Sequence, residues 1–346
     1  MGSVLGTIAF ETVDIGPFSI SSQIFALANS TFGLGLSNTG NSGILGLSFP
    51  SIAAISLLDG ETLLDNIFAN FDGPNRFFAF QLGRDASIDD ANSFTLGKLD
   101  SNITDDWSGF SFTPVSQAGG GSFNYWKLPL HSLVIDSVVF PLSPSLVRGA
   151  DRPIAVLDTG TTLILGPTSD VKAFWRAVSQ EGATRENPIT KMWEVRCDRG
   201  VSVSFVLGDY GSEREYPLDP SDINWEEGGS SGGWCMGGIQ ANDGVNSGDW
   251  LLGDVFLRNV YVTHHLSNST NPPLIGLLNL TNPVGSILQF REDRGPDQSL
   301  PSTPWIRQGI PNIHRPRTST IYVVSTISGF VGGAILTFIV RIRRDR

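Results

Sequence analysis

Ala155-Val156-Leu157-Asp158-Thr159-Gly160-Thr161-Thr162-Leu163 is the stretch on which the reading of this chain turns. An apolar run delivers one aspartate onto a short turn holding a glycine and three hydroxyls, and apolar residues resume at Leu163. That is the pattern of a buried strand running into a tight turn. Taken alone, an aspartate beside Thr and Gly is often a structural residue that caps the turn. Carboxylate chemistry of this kind works in pairs, yet no second Asp-Thr/Ser-Gly occurs in the 346 residues.

Outward from this turn, the chain reads as mostly β. Gly 39 and Pro 20, with charged residues at only 16%, suit many short strands joined by turns. The length allows two ordinary domains. Net charge is -11, and residues 341–346 carry +3 of it, leaving -14 on residues 1–340. Such a surface repels nucleic acid and anionic lipid, so nucleic acid is excluded as a partner.

Other chemistries find no support. The four histidines are His131, His264, His265 and His314. His264 and His265 are adjacent on an expected strand and point to opposite faces, which makes a poor metal pair. Gly228-Gly229-Ser230-Ser231-Gly232-Gly233 lacks the Lys-Ser/Thr of a phosphate loop and is expected to be a surface loop. No Ser-His-Asp arrangement stands out. No metal and no organic cofactor is expected.

Several features describe an exported, anchored protein. Ile321 to Val340 is twenty residues without a charge, which as a helix spans roughly 30 Å. A buried core helix would show a polar face, and a cleaved anchor signal should not end in Arg-Ile-Arg-Arg-Asp-Arg, so a membrane span with a cytoplasmic tail is expected. The body then lies on the extracellular or luminal side. The two cysteines, Cys197 and Cys235, suit one disulfide there, with two free thiols as the alternative. Sequons begin at Asn29, Asn102, Asn268 and Asn279. Against this, Met1 to Thr7 has neither a basic start nor an apolar core of a signal peptide. The chain is therefore expected to be incomplete at its start.

Along the chain, Thr7 to Ala28 reads as a strand pair around Ile15-Gly16-Pro17, and Ile44-Leu45-Gly46-Leu47 as a short buried strand. Leu63 to Phe71 has helical spacing, and Phe77 to Leu82 and Ser93 to Leu99 are strands. Gly-rich residues 116–122 can connect two lobes. Beyond them Leu133-Val134-Ile135 leads to the Asp158 turn, and a helix is expected from Ser169 to Ser179. Val201 to Leu207, Tyr216 to Leu218 and Gly237 to Gln240 are further strand candidates, and Arg294 to Thr318 is an exposed stalk. The expected organisation is a partial N-terminal lobe (1–115), a C-terminal lobe (116–292), a stalk (293–320), the span (321–340) and a tail (341–346).

Trp250-Leu251-Leu252-Gly253-Asp254-Val255-Phe256 echoes Gly43-Ile44-Leu45-Gly46-Leu47. Asp158 precedes Gly253 by 95 residues, and the same interval before Gly46 falls at position -49, ahead of Met1. A first aspartate built on the same plan is expected upstream of this sequence.

Asp158-Thr159-Gly160-Thr161-Thr162, followed by Leu251 to Arg258, resembles the C-terminal half of pepsin-like aspartic peptidases. Gly43-Ile44-Leu45-Gly46 with Phe49-Pro50-Ser51-Ile52 resembles the matching element of the N-terminal lobe. The spacing of Cys197 and Cys235 is similar to the second-lobe disulfide, and the likeness runs from about Gly2 to Phe290. It implies a two-lobed β protein in which each lobe gives one aspartate to a shared cleft. Side by side, the two carboxylates share a proton and act as acid and base. Asp158 matches the second aspartate. The resemblance implies that Thr161 supports it, that Gly160 and Thr162 line the cleft, and that Tyr125 and residues near Ile239 shape side-chain pockets.

The first Asp-Thr-Gly and the flap tyrosine have no counterpart here. Gly2-Ser3-Val4-Leu5-Gly6 resembles the arm just beyond that tyrosine, and Ser42 stands where the family often has Asp. This polypeptide alone is expected to be an inactive form of a monomeric, anchored endopeptidase that acts on peptides or proteins at acid pH. The alternatives are a non-catalytic peptide-binding pseudopeptidase at the membrane and, more weakly, a dyad formed by Asp158 from two copies. A lobe lacking its opening strands is also expected to expose sheet edges and part of a core.

Overall fold

The computed structural model describes residues 3–33, 42–53, 60–84, 92–178, 182–245, 247–268, 271–295 and 341–343. Four sheets account for its strands. Largest is an eight-stranded sheet, in the order Arg214–Pro217, Val203–Leu207, Lys127–Ile135, Ile154–Leu157, Trp250–Leu252, Ile164–Gly166, Ile239–Ala241, with Val138–Pro141 also paired to Lys127–Ile135. Its central strands Ile154–Leu157 and Trp250–Leu252 are short and almost wholly apolar, as strands covered on both faces must be. Trp250, Phe205 and Phe256 fill the layer beneath them, and all are fully buried. Each contributes about 2–3 kcal/mol by leaving water.

The helix Thr168–Val178 covers part of this sheet. It buries Val171, Phe174, Trp175 and Val178, the expected stripe at helical spacing. The Trp175 indole N–H donates to the Ile239 carbonyl at 2.8 Å. Asp170 in its first turn is buried and accepts from the Ser143 amide and hydroxyl.

A five-stranded antiparallel sheet runs Ser93–Leu96, Phe77–Gln81, Val260–His265, Leu274–Asn279, Ser111–Pro114. It interleaves strands from both sides of the Gly-rich segment 116–122. His264 and His265 do take opposite faces of it. His264 stacks on Phe78 at 4.4 Å between ring centres, whereas His265 stacks on Phe77 at 4.8 Å. Burial pushes the imidazoles down to about 3 for His264 and about 4 for His265.

The smaller four-stranded sheet Thr184–Glu186, Trp193–Arg196, Trp234–Gly237, Asn224–Ser231 carries the Cys197–Cys235 disulfide. Its hairpin corrects one expectation. Ser230 and Ser231 pair with Cys235 and Trp234, so the serine- and glycine-rich run is partly strand and not simply a surface loop. The turn falls on Gly232 and Gly233, whose φ values of 60° and 79° suit a tight two-residue hairpin.

The first hairpin, Ser3–Ile15 with Phe18–Phe32, forms as the alternation predicts and turns at Gly16-Pro17. Its inner end is buried at Val13, Ile15 and Ile24, where Leu64, Ile67 and Phe68 of the helix Leu63–Phe68 are also buried. That helix ends three residues before the expected Phe71. The hairpin's outer end exposes Val4, Leu5, Ile8, Phe10, Leu27 and Phe32.

A second expectation is overturned nearby. Ile44-Leu45-Gly46-Leu47 is neither strand nor buried, and Ile44 is 70% exposed. Its echo Trp250–Leu252 is a strand because it lies between two others, parallel to Ile154–Leu157 and antiparallel to Ile164–Gly166. No such pair flanks residues 42–47 among the described residues, so their backbone groups have no ladder to join.

Several elements escaped the sequence reading, among them the strands Ser111–Pro114, Val138–Pro141, Trp193–Arg196 and Leu274–Asn279 and the helix Pro283–Arg294, capped by the Asn282 side chain. That helix continues two residues past the expected lobe end at 292. Residues 321–340 lie outside the described residues, among which no helix is long and apolar enough to cross a membrane. Arg341–Arg343 pairs antiparallel with Thr12–Asp14.

Candidate active site

Asp158 leaves the end of Ile154–Leu157 at the point where the neighbouring strand Trp250–Leu252 also ends, and its amide donates to the Leu252 carbonyl at 3.1 Å. The chain then turns back into Ile164–Gly166 on the other side of that strand. Inserting Trp250–Leu252 between the two arms forces residues 158–163 to loop over its end, which lifts the carboxylate clear of the sheet.

Both carboxylate oxygens of Asp158 are held. The Gly160 amide donates to Oδ1 at 2.9 Å and the Thr161 hydroxyl donates to Oδ2 at 2.6 Å. Asp158 remains half-buried, with Thr159 and Gly160 exposed and Thr161 and Thr162 half-buried. The group is oriented by fixed donors yet open to a reactant on one side.

Beneath the turn lies a support that the sequence reading did not isolate. The Asp254 amide donates to the Thr161 carbonyl at 2.8 Å, and the Val255 amide to the Thr162 carbonyl at 3.0 Å. Gly253 packs so closely that a Cβ there would sit 2.0 Å from the Thr161 oxygen. The Asp254 carboxyl is buried, and its Oδ1 has no hydrogen-bond partner. Burial pushes its pKa up to about 8; Arg258 opposes the shift and the charge of Asp158 adds to it. The echo of Gly46 at Gly253 was legible in the sequence, but neither the helix that starts at Asp254 nor its contact with Thr161 was.

Tyr125 is half-buried. The pairing of Lys127 with Val156, continued by the Leu157 amide donating to the Trp126 carbonyl at 2.9 Å, places Tyr125 opposite Asp158 in register. Residues 47–51 dock beside it. The Trp126 indole donates to the Leu47 carbonyl at 2.8 Å, Phe49 packs on Trp126 with ring centres 4.4 Å apart, and Ser48 donates to the Asn124 carbonyl. Ile239 is buried beside Ile164 in the same sheet. Cys197 and Cys235 are joined, and of the sequon asparagines Asn29, Asn102 and Asn279 are exposed and Asn268 is half-buried.

No group of three or more His, Cys, Asp or Glu able to hold a metal occurs among the described residues. A second carboxylate facing Asp158 in the manner of a dyad is not offered by the described residues either: Asp254 lies beneath the turn, buried.

Such a fold and turn define a class: β-rich proteins that present a hydrogen-bonded aspartate at the end of a strand pair split by a third strand. The family model for eukaryotic aspartyl proteases matches residues 1–271, and this chain belongs to that family. It is 32% identical to pepsin A of Sus scrofa over 273 residues, covering 78% of this chain and 63% of that protein. Cathepsin E of Aquarana catesbeiana is 28% identical over 274 residues, covering 78% and 61%. The chain thus spans less than two thirds of the length of these relatives. The solved aspartic proteinase of Irpex lacteus shares the fold, with a TM-score of 0.61, 21% identity, and 81% and 79% of the two chains covered.

Proposed function

We propose that this chain is the larger part of an aspartic endopeptidase in which Asp158 is one of two catalytic carboxylates. The observation that carries the reading is the Asp158 turn, with Gly160 and Thr161 donating to its two oxygens. Hydrolysis of a peptide bond requires water to lose a proton while the carbonyl oxygen gains one, and two carboxylates sharing a proton do both. The second carboxylate belongs to polypeptide outside these 346 residues, which hold no other Asp-Thr/Ser-Gly. These residues alone are inactive. Thr161 supports Asp158, while Gly160, Thr162 and Tyr125 border the substrate. The complete form cleaves between bulky apolar residues at acid pH and needs no cofactor.

The exposed apolar end of the first hairpin, and residues 42–47, which join no sheet among the described residues, support reading residues 1–115 as a partial lobe. The test is N-terminal mapping of the native protein, followed by peptide cleavage assays. Native protein extending upstream through a second Asp-Thr/Ser-Gly, cleaving at acid pH and silenced by Asp158→Asn, is the expected result. Retained turnover in that variant, or loss of activity on chelation, would remove the assignment. A native start at Met1, with peptide binding and no cleavage, would favour the pseudopeptidase reading, which the single Asp-Thr-Gly motivates.

Ile321 to Val340 anchors the body on the luminal or extracellular side in this reading, with glycans at the four sequons. A tail paired to Thr12–Asp14 and a tail across a bilayer exclude each other. Protease treatment of sealed vesicles decides between them. Cleavage of a tag after Arg346 from the cytoplasmic side supports the span, and its protection together with the body refutes it.

A further inference from the structure

A histidine that the proposed chemistry does not use stands at an irregularity beside the Asp158 strand. Val206 pairs with Ser132 and Leu207 with Leu130, which leaves His131 as the extra residue of a β-bulge. Bulges re-aim a side chain. This one brings Nε2 of His131 to 2.8 Å from the Gly208 carbonyl, while Nη1 of Arg152 lies 3.1 Å from its Nδ1. A guanidinium only donates, so Nδ1 must be the acceptor. Nε2 then carries the ring's single proton and donates it to Gly208. The arrangement admits neutral imidazole alone.

The other groups around the ring are placed to receive a charged one. The paired strands Val138–Pro141 and Val203–Leu207 bring no charged side chain. From the turn after Val203–Leu207 comes Glu213, whose Oε2 is shielded and has no hydrogen-bond partner. Backbone donors at Glu213 and Gly211 hold its carboxyl below the usual range, helped by the positive charge of Arg152. Tyr210 of the same turn lies under the Arg152 guanidinium at 5.4 Å and is otherwise exposed. Arg152 precedes Pro153, whose carbonyl accepts from Leu130 at 2.8 Å, and the Asp158 strand follows at once.

We propose that His131 is an acid-released latch, fastening the segment that leads into the Asp158 strand to the turn 208–213 when neutral and letting go when protonated. The proton comes from solvent and goes to Nδ1, which can then no longer accept from Arg152. Two cations then face each other and Arg152 swings to solvent, so the turn 208–213 loses the guanidinium that Tyr210 packs against. Histidine is the side chain suited to such a change between about pH 8 and pH 5. The latch acts in the conformation of residues 208–213 and stands apart from peptide-bond chemistry.

The test uses the full chain labelled with nitrogen-15. At about pH 7.5 the His131 ring should show a pyridine-like Nδ1 and a pyrrole-like Nε2. On moving to about pH 5, amide exchange across Gly208 to Glu213, corrected for its intrinsic pH dependence, should rise at least about tenfold in wild type. In His131→Gln it should change less than about twofold, because a carboxamide supplies the same acceptor and donor but does not titrate. An equal rise in His131→Gln, or an Nδ1-protonated ring at neutral pH, would overturn the latch. If that variant does not fold, the wild-type Arg152 guanidinium signal decides: a change with the same midpoint as the ring supports the proposal, and invariance through the ring's titration refutes it.

Discussion

Replacing Gly253 by alanine tests how the Asp158 turn is supported. Gly253 has φ -83° and ψ -159°, a backbone conformation alanine adopts freely, so any loss must come from packing. The added Cβ would lie 2.0 Å from the Thr161 carbonyl oxygen and 2.5 Å from that of Leu163. Both are backbone atoms in the turn and cannot rotate away. Restoring contact distance requires the Thr161 carbonyl to move by about an ångström, which breaks the 2.8 Å bond from Asp254 and loosens the 3.0 Å bond from Val255 to Thr162. Two hydrogen bonds at about 1 kcal/mol each, plus about 1–3 kcal/mol of overpacking, give a loss of about 3–5 kcal/mol. At about 2–4 °C per kcal/mol, thermal unfolding should shift down by about 10 °C. Gly46→Ala is the matched control, because nothing lies within 4 Å of a Cβ at that echo position, and it should stay within about 0.5 kcal/mol of wild type. Calorimetry and urea titration of both variants would measure this. A Gly253→Ala protein within about 1 kcal/mol of wild type would refute the reasoning about the turn. Equal damage from Gly46→Ala would show that residues 42–47 pack as Trp250–Leu252 does.

Three further outcomes are expected. Asp254 titrates near 8 in the folded chain against 3.8 unfolded, so its protonated form stabilises the fold below about pH 4, and that stability is lost as pH rises toward 8. Asp254→Asn should flatten this decline, whose slope is at most about 1.4 kcal/mol per pH unit, in urea midpoints taken across that range. His264 has the opposite sign: its folded pKa of about 3 lies below the unfolded 6.5, so its contribution is present above pH 6.5 and is lost as pH falls toward 3. His264→Phe keeps an aromatic ring between Phe78 and Phe80 and should lessen the acid loss, leaving the part due to His265; an unchanged acid limb in denaturation would refute that assignment. Replacing Cys197 and Cys235 together by serine should cost about 4 kcal/mol, since the bridge closes a separation of 38 residues. A change under about 1 kcal/mol would show that the loop is already confined by the four-stranded sheet.

The sequence by itself determined what repeats locally along the chain. Alternation around Gly16-Pro17 gave the first hairpin, the stretch from Ser169 to Ser179 gave a helix, and Ala155 to Thr162 marked an apolar run entering an aspartate turn. These signals survive because each rests on the geometry of a few neighbouring residues. Resemblance carried the reading to the family and to Asp158.

Tertiary structure decided everything that depends on which strand lies beside which. Gly43-Ile44-Leu45-Gly46-Leu47 and Trp250-Leu251-Leu252-Gly253 look alike as sequence, yet only the second is a strand, because only it has Ile154–Leu157 and Ile164–Gly166 on its two sides. A strand is completed by partners distant in the chain, and no local pattern records whether they are present. The same is true of Asp254, buried beneath Asp158 although 96 residues away, and of His131, turned by a bulge toward Arg152 and Gly208. Local periodicity sets the element, and hydrogen-bonded neighbours across the sheet set whether it forms and what its side chains meet.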